Sequence, residues 1–131
     1  MNVEHLLLIP PNLLKLEEKQ RIFAWNVHHL IEWTYKAGYE ITLAEAYRTP
    51  EQAALNVKNA SGIANSLHTQ RLAIDLNLFK DGVYLTDSAS HKKFGDWWKT
   101  QATPECETCW GGDFKNMQDG NHYSIAHGGF K

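Results

Sequence analysis

The sequence predicts an α+β domain: a small, mostly antiparallel sheet with flanking helices. Three stretches carry this expectation. Residues 72–78, Leu72-Ala73-Ile74-Asp75-Leu76-Asn77-Leu78, alternate as a strand with one buried face does. Residues 13–37 repeat apolar side chains at helical spacing and stop at Gly38, a natural helix terminator. Lys80-Asp81-Gly82-Val83 holds the Asp-Gly pair that joins antiparallel strands.

In chain order, Met1 to Pro11 reads as an arm or short strand entering a Pro-Pro corner. In the helix over 13–37, Phe23, Val27, Leu30, Ile31 and Thr34 fall at helical spacing. It also carries His28-His29, whose side chains diverge by about 100° around the axis, so both do not easily serve one metal. They read as surface or core-edge histidines. Tyr39 to Ala46 alternates as a strand. Thr49, Pro50 and Gln52 form a helix-start signature, for a short helix over Pro50 to Lys58. Asn59 to Gly62 is expected to loop. After the strand at 72–78, Val83 to Leu85 folds back on it. Ser88 or Ser90 caps a helix through Trp98. Gln101 to Cys109 reads as loop, Trp110-Gly111-Gly112-Asp113-Phe114 as a tight turn, and His122 to Ile125 as the last strand. His127-Gly128-Gly129 reads as a solvated tail.

At 131 residues the chain is long enough for one domain with its own core. Its 43% hydrophobic and 21% charged residues are ordinary for a globular protein. The formal charge is −2 and no Lys/Arg stripe is present, which argues against nucleic-acid binding through phosphate neutralisation. No apolar run approaches the ~20 residues of a membrane-spanning helix. Leu6 to Ile9 is too short for a signal peptide and lacks a cleavage site, so residence in the cytoplasm is expected. Cys106 and Cys109 cannot complete a structural zinc site without another ligand pair, and read as reduced thiols in a loop.

Two short motifs carry candidate chemistry. His68 precedes the 72–78 strand, and Asp75 lies on its less apolar face with Ala73 and Asn77. Asp119 stands three residues before His122, across a glycine turn. Each motif alone has a bland reading, a turn acid or a satisfied histidine. Together they supply two imidazoles, a ligand carboxylate and a spare acid, the donor set of a catalytic zinc site with one open position. A spare carboxylate can take a proton from water and pass it to a leaving amine.

Ser66-x-His68-x6-Asp75 followed by Asp119-x-x-His122 resembles the D-alanyl-D-alanine carboxypeptidase-like zinc peptidases, a group related in structure to the hedgehog signalling domain. The resemblance extends to Glu45-Ala46-Tyr47-Arg48-Thr49-Pro50-Glu51-Gln52, similar to the family's Tyr-Arg-Ser/Thr segment. It also extends to Trp110-Gly111-Gly112-Asp113-Phe114, similar to its Trp-Gly-Gly turn. It covers most of residues 20–127 in order. Within the group it is closest to phage endolysins that cut the L-alanyl–D-glutamate bond of peptidoglycan stem peptides. Many carboxypeptidases of the group have Glu where this chain has Asp119, which tilts the resemblance toward that branch.

The resemblance implies one zinc ion held by His68, Asp75 and His122, with Asp119 as catalytic base. It implies that Arg48 polarises the substrate carbonyl or grips a substrate carboxylate, as a planar guanidinium can. Ser66 is placed to bond substrate or to order the ligand loop. Trp110 and Asp113 read as structural. The implied protein is a monomeric, single-domain peptidase over residues 1–131 with no separate wall-binding domain and no membrane insertion. Its substrate would be the stem peptide, and its release from the host cytoplasm would depend on a holin-like protein. The competing readings are a D-alanyl-D-alanine carboxypeptidase and a non-catalytic metal-binding module of the same fold.

Overall fold

The computed structural model describes residues 3–10, 13–59 and 66–131. Five strands form one antiparallel sheet, and helices pack against it, so the α+β architecture matches the sequence expectation. In order the elements are α1 (Glu4–Leu7), α2 (Leu16–Lys36), β1 (Glu40–Leu43), α3 (Pro50–Lys58), β2 (Ala73–Lys80), β3 (Val83–Leu85), α4 (Ser88–Lys99), β4 (Thr108–Trp110) and β5 (His122–Ile125). Two 3-10 turns, Leu67–Gln70 and Gly111–Asp113, sit beside β2 and β4.

Strand β2 is the centre of the sheet. One of its edges pairs with β1 (Glu40↔Phe79, Leu43↔Leu76), and β5 (Asp75↔His122) pairs with it in the order β1-β2-β5-β4. Strand β3 pairs with the far end of β2 (Lys80↔Val83) through a two-residue turn with positive φ at Asp81 and Gly82. That is the backbone the Asp-Gly pair favours.

The alternation in β2 sorts its side chains as expected. Ile74, Leu76 and Leu78 are buried in the core with Leu30, Phe94, Trp98, Tyr123 and Ile125. Burying each large apolar side chain contributes roughly 1.5–3 kcal/mol before entropy is charged against it. Asp75 falls on the other face with Ala73 and half-buried Asn77, cross-strand from His122. The Trp98 indole N–H donates to the Ser124 carbonyl at 3.0 Å, fixing α4 to β5.

Helix α2 ends as its sequence suggests. Gly38 has φ +89°, Tyr39 N–H donates to Thr34 O and Gly38 N–H to Tyr35 O. This paired closure satisfies the last helical carbonyls. Helix α3 matches its expected bounds, and the Thr49 hydroxyl accepts from Gln52 N–H at 3.0 Å.

Several expectations are corrected. The opening segment holds a helical turn with Leu6 buried, not a strand; Met1, Asn2 and Pro11 lie outside the described residues. Strand β1 is shorter than Tyr39–Ala46. Asp87, not Ser88 or Ser90, caps α4: its carboxylate accepts from Ser90 N–H at 3.1 Å. Thr108–Trp110 is a strand rather than loop, so Cys109 lies in the sheet; both cysteines are free and buried. The tail is anchored at its start, because Lys19 Nζ donates to Ala126 O at 2.8 Å and lies 3.1 Å from His127 Nδ1, while Gly128 and Gly129 are exposed as expected. Asn59 caps α3, and the rest of the expected loop, Ala60–Gly62, lies outside the described residues.

Candidate metal and catalytic centre

His68 is delivered by the 3-10 turn Leu67–Gln70. Ser66 caps this turn, its hydroxyl accepting from His68 N–H at 3.2 Å. The turn closes at Arg71, a non-glycine residue with φ 55°, whose guanidinium lies 4.0 Å over the Tyr47 ring. That left-handed residue costs backbone energy which the surrounding contacts must offset. It lets the chain reverse directly into β2, so His68 and Asp75 meet across seven positions.

Asp75 and His122 are brought together by strand register. His68 Nε2 lies 3.4 Å and His122 Nδ1 3.3 Å from Asp75 Oδ1. One donor atom from each residue lies within 4.8 Å of the others. The two imidazoles are buried and edge-to-face, with centroids 5.2 Å apart. Burial pushes the Asp75 carboxyl up, but His122 and His68 together outweigh it and hold it at about 2.

The residues fit a divalent ion. Asp75 Oδ1 is buried with no hydrogen-bond partner, although an imidazole nitrogen of His68 lies 3.4 Å and one of His122 3.3 Å from it. Leaving such an oxygen unsatisfied is costly. Two imidazoles and one carboxylate suit zinc, with a fourth position free.

Asp119 stands beside this set, its Oδ2 4.0 Å from His122 Nδ1. Burial, and then the Asp75 charge, push its carboxyl above the ordinary value. The backbone of Asp119 and of Gly120 next to it is held by three hydrogen bonds. Asp119 N–H donates to Gly111 O at 2.9 Å, Trp110 Nε1–H to Gly120 O at 2.7 Å, and Gly120 N–H to the Ser88 hydroxyl at 3.0 Å. The Trp110 ring fills the space a Cβ would need at Gly95 and at Gly112. The Trp-Gly-Gly turn is thus the platform under Asp119. Asp113 pairs with Lys99 at 2.7 Å, away from the three donors.

Arg48 lies against the ligand turn: its N–H donates to His68 O at 3.1 Å, and its guanidinium pairs with the Glu45 carboxylate. Arg48 Nε is buried without a partner. Glu45 is the residue the sequence reading did not single out for chemistry. Its Oε1 lies 3.8 Å from His68 Nδ1, and its carbonyl accepts from Asp75 N–H at 2.9 Å. His68 Nδ1 is buried without a hydrogen-bond partner, so Glu45 approaches it as a nearby charge rather than through a hydrogen bond, in the position from which a carboxylate can orient a ligating imidazole. The one sequence signal was its place in the Tyr47-Arg48 segment, three residues before Arg48.

An antiparallel sheet whose central strand offers Asp75 to a cross-strand histidine, with a second histidine on the preceding turn, is a candidate site for a metal ion. Residues 59–125 match the family model described as D-alanyl-D-alanine carboxypeptidase, and the chain belongs to that family. It is 30% identical over 125 residues to the L-alanyl-D-glutamate peptidase of Listeria phage A118, covering 91% of this chain and 41% of that protein. The chain therefore spans under half the length of this curated relative. The fold is similar to the Serratia marcescens L-Ala D-Glu endopeptidase ChiX, with a TM-score of 0.59 and 17% identity. That match covers 94% of this chain and 84% of the solved one.

Proposed function

We propose that this chain is a zinc-dependent peptidoglycan endopeptidase that hydrolyses the L-alanyl–D-glutamate bond of stem peptides. The observation that carries this reading is the placement of Asp119. A carboxylate outside the three convergent donors stands 4.0 Å from one of them. The names of the phage A118 and Serratia proteins support the choice of bond.

In this reading His68 Nε2, Asp75 Oδ1 and His122 Nδ1 hold one zinc ion. When bound, the ion polarises the scissile carbonyl and acidifies a water. Asp119 accepts the proton of the attacking water and gives it to the departing amine of the D-glutamyl residue. Arg48 faces the carbonyl oxygen as charge develops on it, or holds a substrate carboxylate. Glu45 keeps the Arg48 guanidinium and the His68 ring in place. Ser66 acts through the ligand turn it caps.

Digestion of purified cell wall, with mass spectrometry of the released muropeptides, tests the reading. New L-alanine carboxyl termini and D-glutamate amino termini, lost on chelation and restored by zinc, are expected. Release of free D-alanine alone would transfer the assignment to a D-alanyl-D-alanine carboxypeptidase, which the family description also favours. Undiminished cleavage by His68→Ala would remove the metal mechanism.

A further inference from the structure

A second convergent donor set lies on α2, outside the centre described above. His28, His29 and Glu32 each offer a donor atom, all within 4.8 Å of one another. Adjacent helical residues diverge by about 100°, which argues against a shared ion. Glu32 resolves the conflict, because it is four residues from His28 and three from His29, the two spacings that meet on a helix surface. The imidazoles close the remaining gap by leaning together, with ring centroids 4.1 Å apart.

Two further observations point to a ligand. The first is the tautomer of His28. Its Nδ1 lies 2.9 Å from the Trp25 carbonyl oxygen. A carbonyl only accepts, so Nδ1 carries the proton and Nε2 presents a lone pair. An imidazole tied to a backbone carbonyl by one nitrogen is the usual state of a metal-ligating histidine. The second is Trp25, whose ring packs against both imidazoles, with centroids 4.6 and 4.8 Å away. Both rings are thereby held before any ion arrives, which lowers the ordering cost of binding. Glu32 is ionised, its carboxyl held below the ordinary value by the Lys36 ammonium. That Lys36–Glu32 pair, at 2.7 Å, is solvent-exposed and weak enough for a divalent ion to displace.

We propose that His28, His29 and Glu32 form a solvent-facing site for a divalent transition-metal ion on α2, separate from the His68 donor set. Imidazole with carboxylate selects zinc, copper or nickel over magnesium or calcium. The site touches none of the residues assigned to hydrolysis, so it stands or falls independently of the proposed activity.

Equilibrium dialysis of the full chain against zinc, with metal analysis, tests the assignment. Wild type is expected to bind two ions, and His28→Ala/His29→Ala one, at unchanged far-UV circular dichroism and cell-wall activity. In a His68→Ala background one ion should remain, and nickel should quench the emission of Trp25, an effect absent from Trp25→Phe. Lys36→Met should tighten this binding, since it removes a competing cation. Equal zinc content in wild type and His28→Ala/His29→Ala would overturn the site, as would nickel quenching that survives Trp25→Phe. If the hydrolytic reading alone were wrong, ion binding at α2 would persist in wild type and still vanish with His28 and His29.

Discussion

Gly111 and Asp119 are in direct backbone contact. Asp119 N–H donates to the Gly111 carbonyl at 2.9 Å, and a Cβ at Gly111 would lie 2.0 Å from Asp119 O and 2.8 Å from the His122 Cβ. No side chain at position 111 fits without moving the loop that carries the proposed base. Gly111→Ala is therefore expected to lower stability by about 1–3 kcal/mol, as overpacking does. It should lower activity further than stability, because Asp119 itself shifts. Urea unfolding and wall digestion, run on the same preparation, separate the two effects. A variant as active as wild type would show that the platform does not position Asp119.

Asp119→Asn keeps the shape of the side chain and removes its ability to accept a proton. Activity should fall by about 10²–10⁴-fold, the usual contribution of a general base. Zinc content should stay at the wild-type level, because Asp119 is not one of the three convergent donors. Loss of zinc together with activity would reassign Asp119 as a ligand.

Glu45→Gln should weaken zinc binding by about 10–100-fold, the range found when a partner behind a ligating imidazole is lost. The same change frees the Arg48 guanidinium from its carboxylate, so KM should change as well. Competition with a chromogenic chelator measures the first effect and steady-state kinetics the second. Wild-type zinc affinity in Glu45→Gln would mean that the 3.8 Å approach to His68 does not orient the ring.

Stability should decline as pH rises from 9 toward 11. Burial pushes the Cys106 thiol up to about 11, against an ordinary value of 9.0, with the Lys19 ammonium only partly opposing it. Below the unfolded value both states keep the proton and the folded state loses nothing. Between the two values the unfolded chain releases a proton that the folded chain retains, so unfolding gains. Burial also raises the Tyr123 phenol, which adds to the decline at the upper end. Thermal melts across this range should show a shallower slope for Cys106→Ala than for wild type; parallel slopes would exclude the thiol as a source.

The elements legible in the sequence are those whose signal is local and strong. Strand β2 and helix α2 declare themselves by periodicity, α3 by Thr49 and Pro50, and the hairpin by Asp81-Gly82. Strand β4 was hidden because Thr108-Cys109-Trp110 is too short to alternate, and it exists only by pairing with β5. Ser88 and Ser90 suit the cap of α4 by residue type, yet the Ser88 hydroxyl accepts from Gly120 N–H and Asp87 caps the helix. The donors at 68, 75 and 122 and the spare acid at 119 stand out by residue type and spacing. Glu45 could not, because its approach to His68 arises where the chain beyond β1 runs alongside Asp75.

The register that sets Asp75 opposite His122 has a topological meaning. These two residues close a long excursion of the chain that includes β3, α4 and β4. An ion gripped at both ends would act as a removable crosslink, restricting the denatured ensemble as a covalent bridge over the same span would. Strands β2 and β5 would then be joined by the same ion that the proposed hydrolysis uses. Loss of such an ion would lift that restriction, so the proposed site would link metal content to the stability of the β2–β5 pairing.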